Sequence, residues 1–178
     1  MSTEIEYQNW LKKGFGDLIN SLDLEERQKH ILKSRWLDQV AWMERKTVHA
    51  RNRYYALRLT AIIGGLIVPA LIGLNFEGST SHILRWVVFA LSLIVAICSA
   101  MEEFFKYGER WRHYRQTVET LKSEGWQFIQ LSGAYSRRNS HAHAYEKFAG
   151  RVEAILQEDV RKYISEVVSA QTDDGEEG

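Results

Sequence analysis

The order of polar and apolar positions sets two uncharged apolar runs, residues 59–76 and 86–101, among densely charged segments. At about 1.5 Å per residue, the first covers roughly 27 Å as a helix, close to the roughly 30 Å of a bilayer's hydrocarbon core. The second reaches a similar length once Ile83 and Leu84 are counted, with Arg85 snorkelling toward headgroups and Trp86 as an interfacial anchor. Upstream, Trp36, Val40, Met43, Thr47, Ala50, Tyr54 and Leu57 recur at alternating spacings of four and three, a heptad seam that runs unbroken into the first apolar run. Phe104, Tyr107, Trp111, Tyr114, Val118 and Leu121 repeat that seam after the second run. The pattern predicts an all-α membrane protein: a two-helix transmembrane hairpin whose helices extend, coiled-coil fashion, into a cytosolic helical bundle with a third, C-terminal helix.

The remaining punctuation divides the chain further. Residues 1–22 carry Ile5, Trp10, Leu11, Phe15, Leu18, Ile19 and Leu22, an amphipathic segment interrupted by Gly14 and Gly16. Asp23, with Glu26 three residues on, is a capping-box-like start for a stalk helix over 23–58, which continues into the first span, 59–76. A short outer loop, 77–85, connects it to the second span core, 86–101, and to a second stalk, 102–132. A turn-rich loop, 133–143, leads to a last helix over 144–169, with Tyr145, Phe148, Val152, Ile155, Leu156, Val160, Tyr163, Ile164 and Val167 on one face. The acidic stretch 170–178 is expected to be disordered. Arg45, Lys46, Arg51, Arg53, Arg58, Lys106, Arg110, Arg112 and Arg115 flank the spans on one side and Arg85 alone on the other, which places both termini in the cytoplasm and the molecule in the inner membrane.

Overall charge adds little: 23 basic residues balance 23 acidic ones, so no nucleic-acid-binding surface is expected. The single cysteine, Cys98, excludes an intrachain disulfide and a thiolate metal cluster, and its place inside the second run reads as a buried, inert thiol. The polar, acidic opening MSTEIEYQNW does not read as a signal peptide. Phosphate-binding glycine loops, zinc-protease and nucleophile-elbow motifs are missing, so neither an enzyme nor a cofactor is expected. His141 and His143 lie in a polar loop beside Arg137 and Arg138, which reads as solvated and not as a metal site. Arg137, Arg138 and Asn139 have the chemistry to hold a phosphate or an anionic headgroup, though a plain solvated turn accounts for them as well.

Polar chemistry concentrates on the second span. Ser92, Ala96, Ser99 and Glu103 fall four, three and four residues apart and share one face, which Lys106 would continue. Such a face suits either close helix packing or, repeated around an axis, the wall of a cation path with Glu103 and Glu102 at its cytosolic mouth and Glu77 at the outer one. On the first span Gly65, Pro69 and Gly73 share a face, with a kink expected at Pro69 that serves either a packing groove at the glycines or a gating hinge.

A basic, aromatic-rich helix, WMERKTVHARNRYYALR, enters the first span. The second ends EEFFKYGERWRHYRQTVETLKSEGWQF, and a later helix contains YEKFAGRVEAIL. Over about residues 30–165 this layout resembles the bacterial SLATT-type two-transmembrane domains. The resemblance implies a membrane effector that oligomerises into a pore, often with nucleotide-signalling partners, with any signal input either reaching this chain from another protein or absent. The expected function is therefore an oligomeric, ion-conducting and cation-selective pore lined by the second span; the alternative is a membrane-anchored scaffold whose cytosolic bundle binds a partner. The partners expected are the lipid bilayer, further copies of the chain, ions and a regulatory protein.

Overall fold

The computed structural model describes residues 2–73 and 80–173, and these are all-helical, with no strand among them. Helix α1 spans Ser2–Ser21, α2 spans Glu26–Ile31 and passes through a π-helical turn, Leu32–Leu37, into α3, Asp38–Gly73. Helices α4, Thr80–Phe105, and α5, Tyr107–Ile129, follow, then a 3-10 turn, Gly133–Tyr135, and α6, His141–Asp173. The expected outer mouth at Glu77 lies outside the described residues, as do positions 77–79 of the outer loop and 174–178 of the acidic tail; positions 80–85, expected in the loop, already belong to α4, and 170–173, expected to be disordered, belong to α6. The chain falls into two compact units, one made of Met1–Glu44 with Arg115–Gly178 and the other of Arg45–Tyr114.

The first unit is built around aromatic rings. Trp36 donates its indole N–H to the Leu121 carbonyl (3.0 Å) and meets Phe15 and Phe148 edge-on. Phe128 stacks on Phe148, with ring centroids 4.4 Å apart, and Tyr135 packs against both. Gly125 is the close approach that admits the Trp36 ring, because any Cβ there would collide with it. Helix α1 runs straight through Gly14 and Gly16 instead of breaking. Each glycine costs about 1 kcal/mol in a helix interior, and burial of Leu11, Phe15 and Ile19 in the core offsets that cost.

Two buried charge clusters close this unit. Glu44 meets Lys122 at 2.6 Å, and Arg115 bridges Glu44 and Glu119. Glu124 takes two hydrogen bonds from Arg151 and one from the Tyr135 hydroxyl. Burial disfavours the Glu124 carboxylate, but those donors outweigh it and hold its pKa below the ordinary glutamate value. Burial and the bond to Glu124 together push the Tyr135 phenol above its usual range.

Several boundaries differ from the sequence expectation for local reasons. The second helix starts at Glu26, where the Glu25 N–H donates to the Gln28 side chain (3.1 Å), and not at the Asp23–Glu26 pair. Helix α6 begins at His141, since the Ser140 hydroxyl accepts the His143 N–H (3.3 Å). Its apolar face is buried at Phe148, Val152 and Leu156, while Val160, Tyr163 and Ile164 are exposed.

The long second stalk is also interrupted: α4 ends at Phe105 and α5 starts at Tyr107, with Lys106 between them at φ 47°. The Lys106 N–H bonds back to the Glu102 carbonyl (2.9 Å), and its own carbonyl accepts from Glu109 and Arg110. This is a left-handed helix stop that most often carries glycine. Phe104, expected on the seam, lies on α4 before the stop and is 80% exposed. Replacing Lys106 with glycine should remove left-handed strain and raise stability by about 1 kcal/mol. A rise in the thermal midpoint of the detergent-solubilised chain checks this, and a fall would mean that the lysine side chain is itself needed at the break.

Candidate functional site

The second unit contains the apolar runs, and its helices touch along one seam. On α4, Leu84, Val88, Leu91, Val95 and Cys98 are half-buried at spacings of four, three, four and three; on α3, Leu57, Ala61, Val68 and Leu71 are half-buried and Gly64 fully buried. Gly64 makes room for the Val95 side chain: a Cβ there would run into it, with Leu91 3.9 Å away. Gly65 and Gly73, the expected packing glycines, face open space, and Pro69 is exposed within a helix that continues to Gly73. Sequence reasoning missed Gly64 because neighbouring glycines lie about 100° apart around a helix, and composition does not distinguish them.

The two acids at the end of the second run part company. Glu102 lies on the seam, half-buried and 3.6 Å from the Arg58 guanidinium. Glu103 is exposed and shares its face with Ser92, Ala96 and Ser99, all exposed. That face is rotated about 100° from the seam. The Ser92 hydroxyl donates to the Val88 carbonyl (2.8 Å), leaving its oxygen lone pairs free to accept. Lys106 does not continue the face, because the helix stops there.

Around the rest of both helices large apolar side chains are bare, among them Leu66 at 71%, Trp86 at 72%, Ile62, Ile63, Phe89 and Leu93. Both helices are long and apolar enough to cross a membrane, and almost none of either apolar window is buried. Next to them lies a cluster of rings and cations. Tyr54 stacks on Trp111 at 6.1 Å, Tyr55 tilts against it, and Arg53 donates to the Tyr107 hydroxyl (3.2 Å) while lying over that ring.

The other candidates do not converge. His141 donates from Nε2 to the Ile129 carbonyl (3.0 Å), whereas the His143 ring contacts the Ser140 hydroxyl (2.8 Å). No group of three metal-ligating side chains occurs among the described residues.

A family model described as "Protein of unknown function (DUF4231)" matches residues 38–143, which include both apolar helices and the seam between them. No curated protein and no solved structure matches the chain.

Proposed function

The chain belongs to the DUF4231 family of proteins of unknown function, and from its bare apolar helices we propose that it is a two-span protein of the inner membrane with both termini in the cytoplasm. In this reading α3 and α4 cross the bilayer as an antiparallel hairpin, and copies of the chain assemble so that α4 lines a cation-conducting path. The observation that carries it is the exposure of Leu66, Trp86, Phe89 and their neighbours. In water, such a continuous apolar surface far exceeds the patches that monomers leave uncovered, and in lipid it needs no cover. The surplus of basic residues on one side of the spans and the ring-and-cation cluster of Tyr54, Tyr55, Trp111 and Arg53 suit the cytoplasmic headgroup level. The SLATT-type layout is in keeping with the same architecture.

Two helices cannot enclose a pore, so conduction requires self-association. Ser92, Ala96, Ser99 and Glu103 form the polar face that the intrachain seam leaves available for it. Glu103 supplies the charge at the cytosolic mouth; Glu102, paired with Arg58, holds the helices together.

In planar bilayers Glu103→Gln is expected to lower the cation-over-anion permeability ratio several-fold, with Glu102→Gln affecting selectivity much less. An unchanged ratio in Glu103→Gln removes that residue from the path. A monomer without conductance in lipid favours the second reading, a membrane-anchored scaffold, for which the bare Val160, Tyr163 and Ile164 on α6 offer a partner-binding stripe. A chain that stays dissolved in plain buffer without amphiphile defeats both.

A further inference from the structure

The connection between α5 and α6 shapes an open cavity of about 420 Å3 lined by Gly133, Ala134, Ser136, Arg137, Arg138 and Lys147. Three of these six carry positive charge, none is acidic and none has an aromatic ring. The backbone around the cavity is closely determined. Leu131 ends α5 at φ 48°, with the Ser132 N–H on the Gln127 carbonyl (2.9 Å) and its own N–H on that of Phe128 (3.1 Å), a six-to-one and five-to-two helix stop. Gly133 follows at φ 53°, and the next turn is pinned by Tyr135, fully buried, whose hydroxyl donates to Glu124. The Arg138 N–H then donates to the Tyr135 carbonyl (2.9 Å), fixing where the arginine pair leaves the turn.

The cations themselves are poorly compensated. Lys147 donates to the Ala134 carbonyl (2.6 Å) and lies 5.9 Å from the centre of the Tyr135 ring, which commits one of its three N–H groups. The nearby carboxylate that feels its charge, Glu124, already takes bonds from Arg151 (2.5 and 2.8 Å) and Tyr135. Neither Arg137 nor Arg138 has an ion-pair partner among the described residues, and both are exposed. Three cations that converge on one concavity repel each other until an anion enters, and the guanidinium fork matches the oxygens of a phosphate.

We propose that this cavity binds a phosphate group through Arg137, Arg138 and Lys147, presented by an anionic lipid headgroup or by a free phosphate-bearing molecule. With no ring to stack on, the site reads the charge and tetrahedral oxygens of its ligand, not a base. The site adds an anion-sensing function to the unit that carries α6, and it stands whether or not the apolar helices conduct.

The test uses the full chain with two probes. Inorganic phosphate is titrated in a neutral detergent against chloride at matched ionic strength, and separately the chain is placed in nanodiscs of phosphatidylcholine alone or mixed with phosphatidic acid. Amide hydrogen exchange over residues 133–147 is the readout. Protection is expected to rise with phosphate, with affinity at least about tenfold weaker in Arg137→Gln/Arg138→Gln, since each charge-assisted bond lost removes about 1.5 kcal/mol or more. Both arginines are exposed, so this variant should fold. The variant Arg161→Gln/Lys162→Gln, a basic pair on α6 outside the cavity, should respond like the parent. A response to phosphate in detergent assigns a free ligand, and one confined to phosphatidic acid discs assigns a headgroup. Protection no greater than with chloride in both settings, or undiminished in Arg137→Gln/Arg138→Gln, overturns the proposal. A chain that proves to need no amphiphile is titrated with phosphate in plain buffer, so failure of the membrane reading is seen separately.

Discussion

Replacing Trp36 with alanine is expected to destabilise the unit of Met1–Glu44 and Arg115–Gly178 by about 3–5 kcal/mol, the range for deleting a fully buried large aromatic. Trp36 is 2% exposed and has three separate attachments: its indole N–H on the Leu121 carbonyl, the edges of Phe15 and Phe148, and the backbone of Gly125 beneath its ring. Truncation leaves a cavity among rings that cannot close without moving α1 and α6, and it removes the indole's bond to the Leu121 carbonyl, which keeps only its intrahelical partner. Hydrogen exchange of the slowest amides in this unit should accelerate by about a hundredfold or more. A loss below about 1 kcal/mol would mean that the unit can collapse around the gap, contrary to the packing argument. Gly125 gives an independent check. Gly125→Ala should be badly tolerated in the parent, where the new methyl meets the indole, and far better tolerated alongside Trp36→Ala, where it fills part of the space. Additive effects of the two substitutions would show that the ring and the glycine do not depend on each other.

The same tryptophan shows how far the sequence can be read. Trp36, Val40, Met43, Thr47 and Ala50 were legible as one buried stripe because a charged helix betrays its inner face by period, and all five are buried. On α4 that signal vanishes, since every face is apolar and period carries no contrast. The serines then become the visible marker, although the seam to α3 runs through Leu84, Val88, Leu91, Val95 and Cys98, one residue out of phase with them. Glu102 and Glu103 are adjacent in sequence and chemically equal, yet only the seam gives one a partner in Arg58 and leaves the other bare.

Other features depend on contacts that no local pattern encodes. The helix stop at Lys106 falls on a lysine, two residues before Gly108, and the heptad of aromatic residues reads straight across it. The Glu124, Tyr135 and Arg151 cluster joins residues from two helices and a turn, so its members look like ordinary surface polar residues until the chain has folded. The expected apolar stripe of α6 is buried at Phe148, Val152 and Leu156 and exposed at Val160, Tyr163 and Ile164, because periodicity does not say where its cover ends.

Lys122→Met should cost the same unit about 2–3 kcal/mol. Breaking a buried ion pair typically costs 3–5 kcal/mol, and a partner remaining for the stranded carboxylate lowers that figure. The stranded group is Glu44, 4% exposed, whose closest cation is the Lys122 ammonium at 2.6 Å. Arg115 remains at 3.5 Å, but its own side chain is about half exposed and shared with Glu119 at 3.0 Å, so it compensates only in part. Burial disfavours the Lys122 ammonium, yet the hydrogen bond and charge of Glu44 outweigh it and raise its pKa above the ordinary lysine value. A raised folded pKa means that the pair's contribution is complete below the unfolded lysine pKa, about 10.4, and is lost as pH rises through the higher folded value. The parent chain should therefore lose stability in alkali by an increment that Lys122→Met does not show.

The double variant Glu44→Gln/Lys122→Met separates stranding from attraction. If the cost is mainly that of a carboxylate left behind in the core, removing that carboxylate should restore most of the loss, and the double variant will be more stable than Lys122→Met alone. If the double variant is no better, Glu44 is served well enough by Arg115, and the ammonium contributes through its aliphatic stem and its approach to the Tyr7 ring at 5.9 Å. Denaturant titration of the four chains, parent, two singles and double, decides between the two accounts by the sign of their coupling.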